Sequence, residues 1–330
     1  MKQAEPSRGA PRRAPSSPDR SPRVLRDSGT RAIPSAEDLD STVFVTVRAD
    51  EPPEHVFRRL LGAYLGGARE FVIRESPVPR PSTRAIARTF CRRTRQPEIV
   101  SDDGETILIR DLAFESPVPL ERRLEQMGRL VLQFHREASE SWRGLPLGED
   151  DSWDRRDDEI DREAWYLERK AALRLRGPGG GASALELWTI ARCLERIADH
   201  AVILGESGRR LAGLPQGAAP LSTLEQFHRQ AMDHLEGVLG APGGSEANEL
   251  LDTGEALLAS GRAIAERLLP TVGGGTLPPA AAAAVARLLE SIGRTIAYSQ
   301  DIAQVALDRH LGAHPRPRPS PPERTPLPAA

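Results

Sequence analysis

Residues 187–211 read LWTIARCLERIADHAVILGESGRRL, with Leu187, Ile190, Leu194, Ile197, Ala201, Leu204, Gly208 and Leu211 at strict three-four spacing. An α-helix turns once in ~3.6 residues, so this spacing lines one face of a helix and suits a bundle seam. Upstream, Ile160, Ala164, Leu167, Ala171 and Leu175 repeat the pattern, closed by Gly177-Pro178-Gly179-Gly180-Gly181. Further upstream, Leu120, Leu124, Met127, Val131, Phe134 and Ala138 give another stripe. Downstream, Pro215 to Pro220 break the chain. Three more helices are expected at about 221–239, 246–269 and 278–311, between Gly/Pro loops at 240–244 and 270–279. Three helices followed by three of similar length indicate an internal duplication, with bundles at 116–214 and 220–311.

Residues 42–115 read differently. Thr42 to Val47 is β-branched and strand-like, and Pro52-Pro53-Glu54 opens a helix carrying Val56, Leu60, Ala63 and Tyr64. After Gly66-Gly67 comes a strand at Glu70 to Ile73, then a helix from Ser82 to Thr94. Glu98-Ile99-Val100 and Thr106 to Ile109 flank Asp102-Asp103-Gly104 as a hairpin. The order is β-α-β-α-β-β, too short for a dinucleotide-binding domain. The fold class is therefore mainly α, with a small α/β unit followed by six helices. The segments 1–41 and 312–330 are rich in Pro, Arg and Ser without periodicity, and read as disordered tails.

The chain has 330 residues, a formal net charge of -2, and only Lys2 and Lys170 as lysines. That charge argues against a protein that coats nucleic acid. No apolar run reaches the ~18 residues of a membrane span, and residues 1–41 hold no apolar signal core. Cys91 and Cys193 form no CxxC, which excludes a thiolate zinc site or disulfide scaffold and suits a reducing cytoplasm.

Two acidic pairs carry the chemistry. Asp157 and Asp161 stand four apart near the start of one helix, and Glu195 and Asp199 stand four apart on the next. Such residues lie about 40° apart around the axis and ~6 Å along it, on one face. If the two helices pack antiparallel, four carboxylates meet. Their repulsion and desolvation would be relieved by a hard cation with oxygen ligands. The other reading is a solvated face on which Arg192 and Arg196 pair with the acids. His200 is rotated about 100° from Asp199 and could at most support a ligand from behind.

Other features are weaker. His228 and His234 read as polar-face residues, Cys193 as a buried small residue, and Trp153, Trp165 and Trp188 as packing. Arg84, Arg88, Arg92, Arg93 and Arg95 form a basic run that reads either as a solvated face or as a nucleic-acid surface. No phosphate loop, nucleophile elbow or kinase signature is present.

Glu195-Arg196-Ile197-Ala198-Asp199-His200-Ala201 followed by Glu206 resembles the signature helix of the PhoU phosphate-uptake regulator family. Arg156-Asp157-Asp158-Glu159-Ile160-Asp161 resembles the acidic signature preceding it. The α/β region, Leu60 to Gly67, Glu98 to Val100, Ile107 to Leu112 and the opening Leu120-Glu121 are similar to the archaeal branch, over roughly residues 42–311. The resemblance implies two related three-helix bundles and metal clusters on paired acidic motifs. It implies a cytoplasmic, non-enzymatic adaptor that restrains a phosphate transporter, through its ATPase subunit or a phosphate-sensing histidine kinase; the sequence leaves the oligomeric state open, a homo-oligomer being one option. On this basis Asp157, Asp161, Glu195 and Asp199 are the metal-ligand candidates, for iron, zinc, manganese, magnesium or calcium.

The chain departs from the family in two places. In the second repeat, Gly293 and Ala297, or in the neighbouring register Glu290 and Arg294, stand where the acidic pair would be, so any cluster is expected in the first bundle alone. Residues 1–41 lack the alternating strands of the AbrB-like DNA-binding module found in archaeal members. The rival readings are a DNA-binding transcriptional regulator of phosphate-responsive genes and a metal-dependent phosphohydrolase.

Overall fold

Alternating valines set the first strand, β1 (Thr42–Val47), whose Val43, Val45 and Val47 all turn inward. The computed structural model describes residues 42–112, 118–144, 152–177, 181–212, 221–241, 246–273 and 278–313. Both Pro-rich tails and the break at Pro215 to Pro220 lie outside them. After β1 come α1 (Pro53–Leu65), β2 (Glu70–Glu75), α2 (Pro81–Arg93), β3 (Pro97–Asp102) and β4 (Thr106–Asp111). The sheet order is β1-β2-β4-β3, with β1 and β2 parallel and the remaining pairs antiparallel. Residues at a period of two share a sheet face. Val45, Phe71, Ile73, Ile107 and Ile109 thus pack against Val56, Leu60 and Tyr64 of α1 and Ala87 and Phe90 of α2. Both helices begin with proline in the first turn, where its missing N–H costs nothing. At the β3–β4 turn Gly104 takes a φ of 94°, and the Asp103 carboxylate accepts from the backbone N–H of Glu105 at 2.9 Å and of Thr106 at 2.7 Å.

Six helices follow: α3 (Leu120–Glu140), α4 (Trp153–Arg176), α5 (Ala182–Ala212), α6 (Leu221–Gly240), α7 (Ala247–Gly273) and α8 (Pro279–Ala313). Ser152 caps α4, its side chain accepting from the Arg155 N–H at 3.1 Å. The expected stripes are buried from Met127 to Ala138, from Ile160 to Ala171 and from Leu187 to Leu211, with Leu124 and Ile190 only partly covered. Leu175 departs from its stripe and is exposed, because it lies in the last turn of α4. The two halves share one continuous apolar core from α3 through α8, with α5 and α8 forming the most extensive helix pair.

Two tryptophans fix how α5 sits. The Trp142 indole lies against Gly208 and donates to the Leu204 carbonyl at 3.1 Å; Trp153 lies against Gly205. A Cβ at either glycine would overlap an indole ring, so these positions admit only hydrogen.

His228 and His234 correct the sequence reading, since both are buried on the inner face of α6. His228 stacks on His135 of α3, ring centroids 5.5 Å apart, with His228 Nε2 at 3.3 Å from His135 Nδ1. The Ile197 carbonyl lies 2.9 Å from His135 Nε2 and can only accept, so that nitrogen carries hydrogen and Nδ1 accepts from His228. Burial pushes His135 down to about 4 and His228 to about 3, so both rings are neutral.

The α/β unit is fastened to α4 by arginines. Arg169, almost fully buried, donates to the carbonyls of Tyr64 and of Ala68 (2.9 Å), and to Asp111 Oδ2 at 2.7 Å. Arg176 donates to the Gly66 carbonyl at 2.5 Å. Such planar, multi-donor pairing suits arginine and offsets the cost of burying its charge.

Candidate functional site

The site grows from the way α4 and α5 pair. Glu168 of α4 meets Arg192 of α5 at 3.4 Å, while Asp161 feels the charges of Glu195 and Asp199. Numbers fall along α4 as they rise along α5, so the helices run antiparallel. The i, i+4 acids of each therefore come to one shared face. All four predicted residues are brought into electrostatic contact: Asp157 with Asp161 and Asp199, Asp161 with Glu195 and Asp199, and Glu195 with Asp199.

Crowding and burial change their chemistry. Burial first, then the neighbouring charges of Asp161 and Asp199, push the Asp157 carboxyl up to about 7. Asp161 rises to about 7 through burial, opposed by Arg93 and reinforced by Glu195 and Asp199. Glu195 also rises to about 7, from burial and then from Asp199. Burial raises Asp199 as well, against Arg196 and Arg192. Four full negative charges are therefore more than the site supports without a counter-cation, and the carboxyls retain protons instead.

Three arginines partly supply one. Arg196 lies 3.5 Å from Glu195 and 3.9 Å from Asp199, a loose and exposed contact. Arg192 is drawn to Glu168 instead. Arg93, the last residue of α2, reaches across from the α/β unit and pairs with Asp158 at 2.7 Å and Asp161 at 2.6 Å. Both sequence alternatives are therefore present in part: the acids cluster, and arginines touch them.

The donor set suits a hard cation in kind, being all carboxylate oxygen, and the buried Glu195 Oε2 accepts no hydrogen bond, its contact with Arg196 Nε at 3.5 Å being an ion pair without hydrogen-bond geometry. Among the described residues, however, no three His, Cys, Asp or Glu side chains converge as a ready metal-holding group. His200 does not back the acids. Its Nδ1 lies 3.4 Å from Ser291 Oγ of α8, and its ring stacks on Tyr298.

Sequence reasoning missed Glu168, Arg93 and Glu163. Glu168 sits seven residues after Asp161, two turns along the same face, so its periodicity was available. Glu163, nearly buried, binds Arg95 at 2.5 Å and Arg123 at 3.0 Å beside the cluster. Neither Arg93 nor Arg95 carries any local signal for this role, because the partners lie more than sixty residues away in sequence.

In the second bundle, Glu290, Gly293 and Arg294 line an open groove of about 390 Å³ with Phe227, Leu258 and Leu289. That lining mixes apolar side chains with Glu290 and the arginines Arg262 and Arg294, and holds a single carboxylate.

The PhoU domain family model matches residues 124–207, from the first turns of α3 to near the end of α5, so this stretch of the chain is similar to a PhoU domain. Both acidic pairs fall inside the match. PhoU domains mark regulators of phosphate homeostasis. No curated protein matches the chain. Among the described residues, no helix is long and apolar enough to cross a membrane.

Proposed function

We propose that this protein is a non-enzymatic regulator of phosphate uptake and intracellular phosphate homeostasis. It acts in the cytoplasm as an adaptor that restrains a phosphate transporter, through its ATPase subunit or a phosphate-sensing histidine kinase. The observation that carries this reading is the clustering of Asp157, Asp161, Glu195 and Asp199 along one face, near enough to feel one another's charge, inside the PhoU match.

Those four carboxylates would hold a divalent or trivalent metal ion. When bound, the ion would supply the positive charge that lets them ionise together. The protein's own contribution is to orient the acids on two antiparallel helices and to shield them from water by half-burial. Neutralised, the α4–α5 face becomes a stiff docking surface.

The DNA-binding alternative loses support from the arginine run. Arg84 pairs with Asp102, Arg93 with Asp158 and Asp161, and Arg95 with Glu163, so three of its five members are committed to internal pairs. A nucleic-acid surface needs such charges free to face phosphate.

The test is loss of the gene in its native host, with phosphate uptake measured under replete conditions, and affinity capture of the tagged chain. Faster uptake and recovery of a transporter ATPase or sensor kinase are expected. Unchanged uptake with neither partner recovered overturns the proposal.

A further inference from the structure

Arg93 is held at the acidic face by more than the acids. Its guanidinium carbon lies 5.5 Å from the Phe57 ring centroid of α1 and 5.1 Å from the Trp165 ring of α4. Aromatic faces attract a cation by their quadrupole and keep it in place without using its N–H groups. The backbone beneath it is fixed as well. The next residue, Thr94, closes α2 with its N–H and hydroxyl both donating to the Phe90 carbonyl, at 3.0 Å and 2.6 Å. From this seat Arg93 donates through one terminal nitrogen to Asp161 Oδ2 at 2.6 Å. Its Nε forms a 2.7 Å ion pair with Asp158 that lacks hydrogen-bond geometry. Docking of the α/β unit does not depend on it, because Arg169, Arg176 and Arg95 make their own bonds to or from α4.

We infer that Arg93 is the built-in cation of the acidic face and competes with a metal ion for Asp161. A guanidinium always carries its charge and spreads it over a plane matched to carboxylates. While it engages Asp161, that side chain is turned toward α2 and the local field opposes a second cation. This accounts for four clustered acids that nonetheless do not converge as a metal-holding group. The α/β unit thereby sets the affinity of the bundle's site: a bound ion must win Asp161 from α2. The inference rests on the metal reading proposed above.

The test uses the full-length chain, stripped with chelator and titrated calorimetrically with Mn2+, Zn2+ and, anaerobically, Fe2+. Arg93→Gln removes the charge and should bind the ion at least about tenfold more tightly than the wild type. Arg93→Lys keeps the charge but loses the planar fork, and should bind with an affinity between those of the wild type and Arg93→Gln. Arg95→Gln breaks the neighbouring contact to Glu163 outside the cluster and should also change affinity little. If Arg93→Gln does not fold, Arg93→Met, which keeps an apolar stem between Phe57 and Trp165, is expected to show the same tightening. Equal or weaker binding on loss of the charge overturns the competition and leaves the metal reading standing. Binding of none of the three ions by any variant overturns the metal reading, and this inference with it.

Discussion

The two halves of the helical core bury polar side chains in different ways. In the first, α4 buries Asp161, Glu163, Glu168 and Arg169, and each needs a partner from another element. In the second, α8 buries Ser291, Thr295 and Ser299. Thr295 and Ser299 satisfy themselves, their hydroxyls donating to the carbonyl four residues back at 3.0 Å and 2.8 Å. The same six-helix packing is thus reached with or without buried charge. Charge on the α4–α5 seam is not what the fold requires, and its cost is evidence of another use.

The largest test of this contrast concerns glycines. Gly208→Ala in α5 drives a methyl into the Trp142 ring and should cost about 2 kcal/mol or more, a fall of about 5 °C in melting temperature. A neutral result by calorimetry would show that the indole can move aside and that α5 is not rigidly seated.

The next concerns pH. Asp157, Asp161 and Glu195 titrate near 7 in the folded chain, well above their unfolded range. The folded state then holds protons the unfolded chain has released. The stability this gives is full below about pH 4 and is lost as pH rises through about 7. Asp157→Asn combined with Glu195→Gln should therefore gain about 1–3 kcal/mol on the metal-free wild type between about pH 5 and pH 8. Using the difference between the two proteins removes the His135–His228 seam, whose depressed values act in the opposite sense. A pH-independent difference would mean the acids are already neutralised by arginine.

A smaller effect of opposite sign to the first is expected in α8. Gly293 faces open space, so Gly293→Ala should raise stability by about 1 kcal/mol through helix propensity alone. A loss in urea melts would mean that the groove beside it is filled in solution. The smallest expected effect is a null. Added divalent metal should slow amide exchange in α4 and α5 while leaving α7 and α8 unchanged, and equal protection of both halves would place ligands in the second bundle too.

Much of this was legible in the sequence where a signal is local. The β-α-β-α-β-β order follows from valine alternation, prolines at helix starts and the Asp-Gly turn. The helices follow from stripes such as Leu187 to Leu211. The acidic pairs were visible because i, i+4 geometry holds on any helix. His228 was misread although it stands four after Leu224 and three before Ala231, on the buried stripe. Residue type and position point opposite ways there, and only a partner such as His135, ninety-three residues away, shows why an imidazole can sit on that stripe. Arg93 reads as part of a basic surface for the same reason: its partners are Asp161 and Trp165 of α4 and Phe57 of α1, and no spacing along the chain records their meeting with the end of α2.

The Arg169 bolt bears on how such a protein can be recombined. Its guanidinium is spent on the Tyr64 carbonyl in the last turn of α1, the Ala68 carbonyl in the loop after it and Asp111 at the end of β4, all in the α/β unit. A graft of that unit onto another bundle would have to bring an arginine at the matching turn of the recipient helix. A bundle cut free of it would expose an arginine with no acceptor. Donor and recipient are inherited as a pair, so residues 42–112 moved alone onto a bundle without an arginine at the position of Arg169 should be recovered insoluble, and placing an arginine there should rescue the chimera.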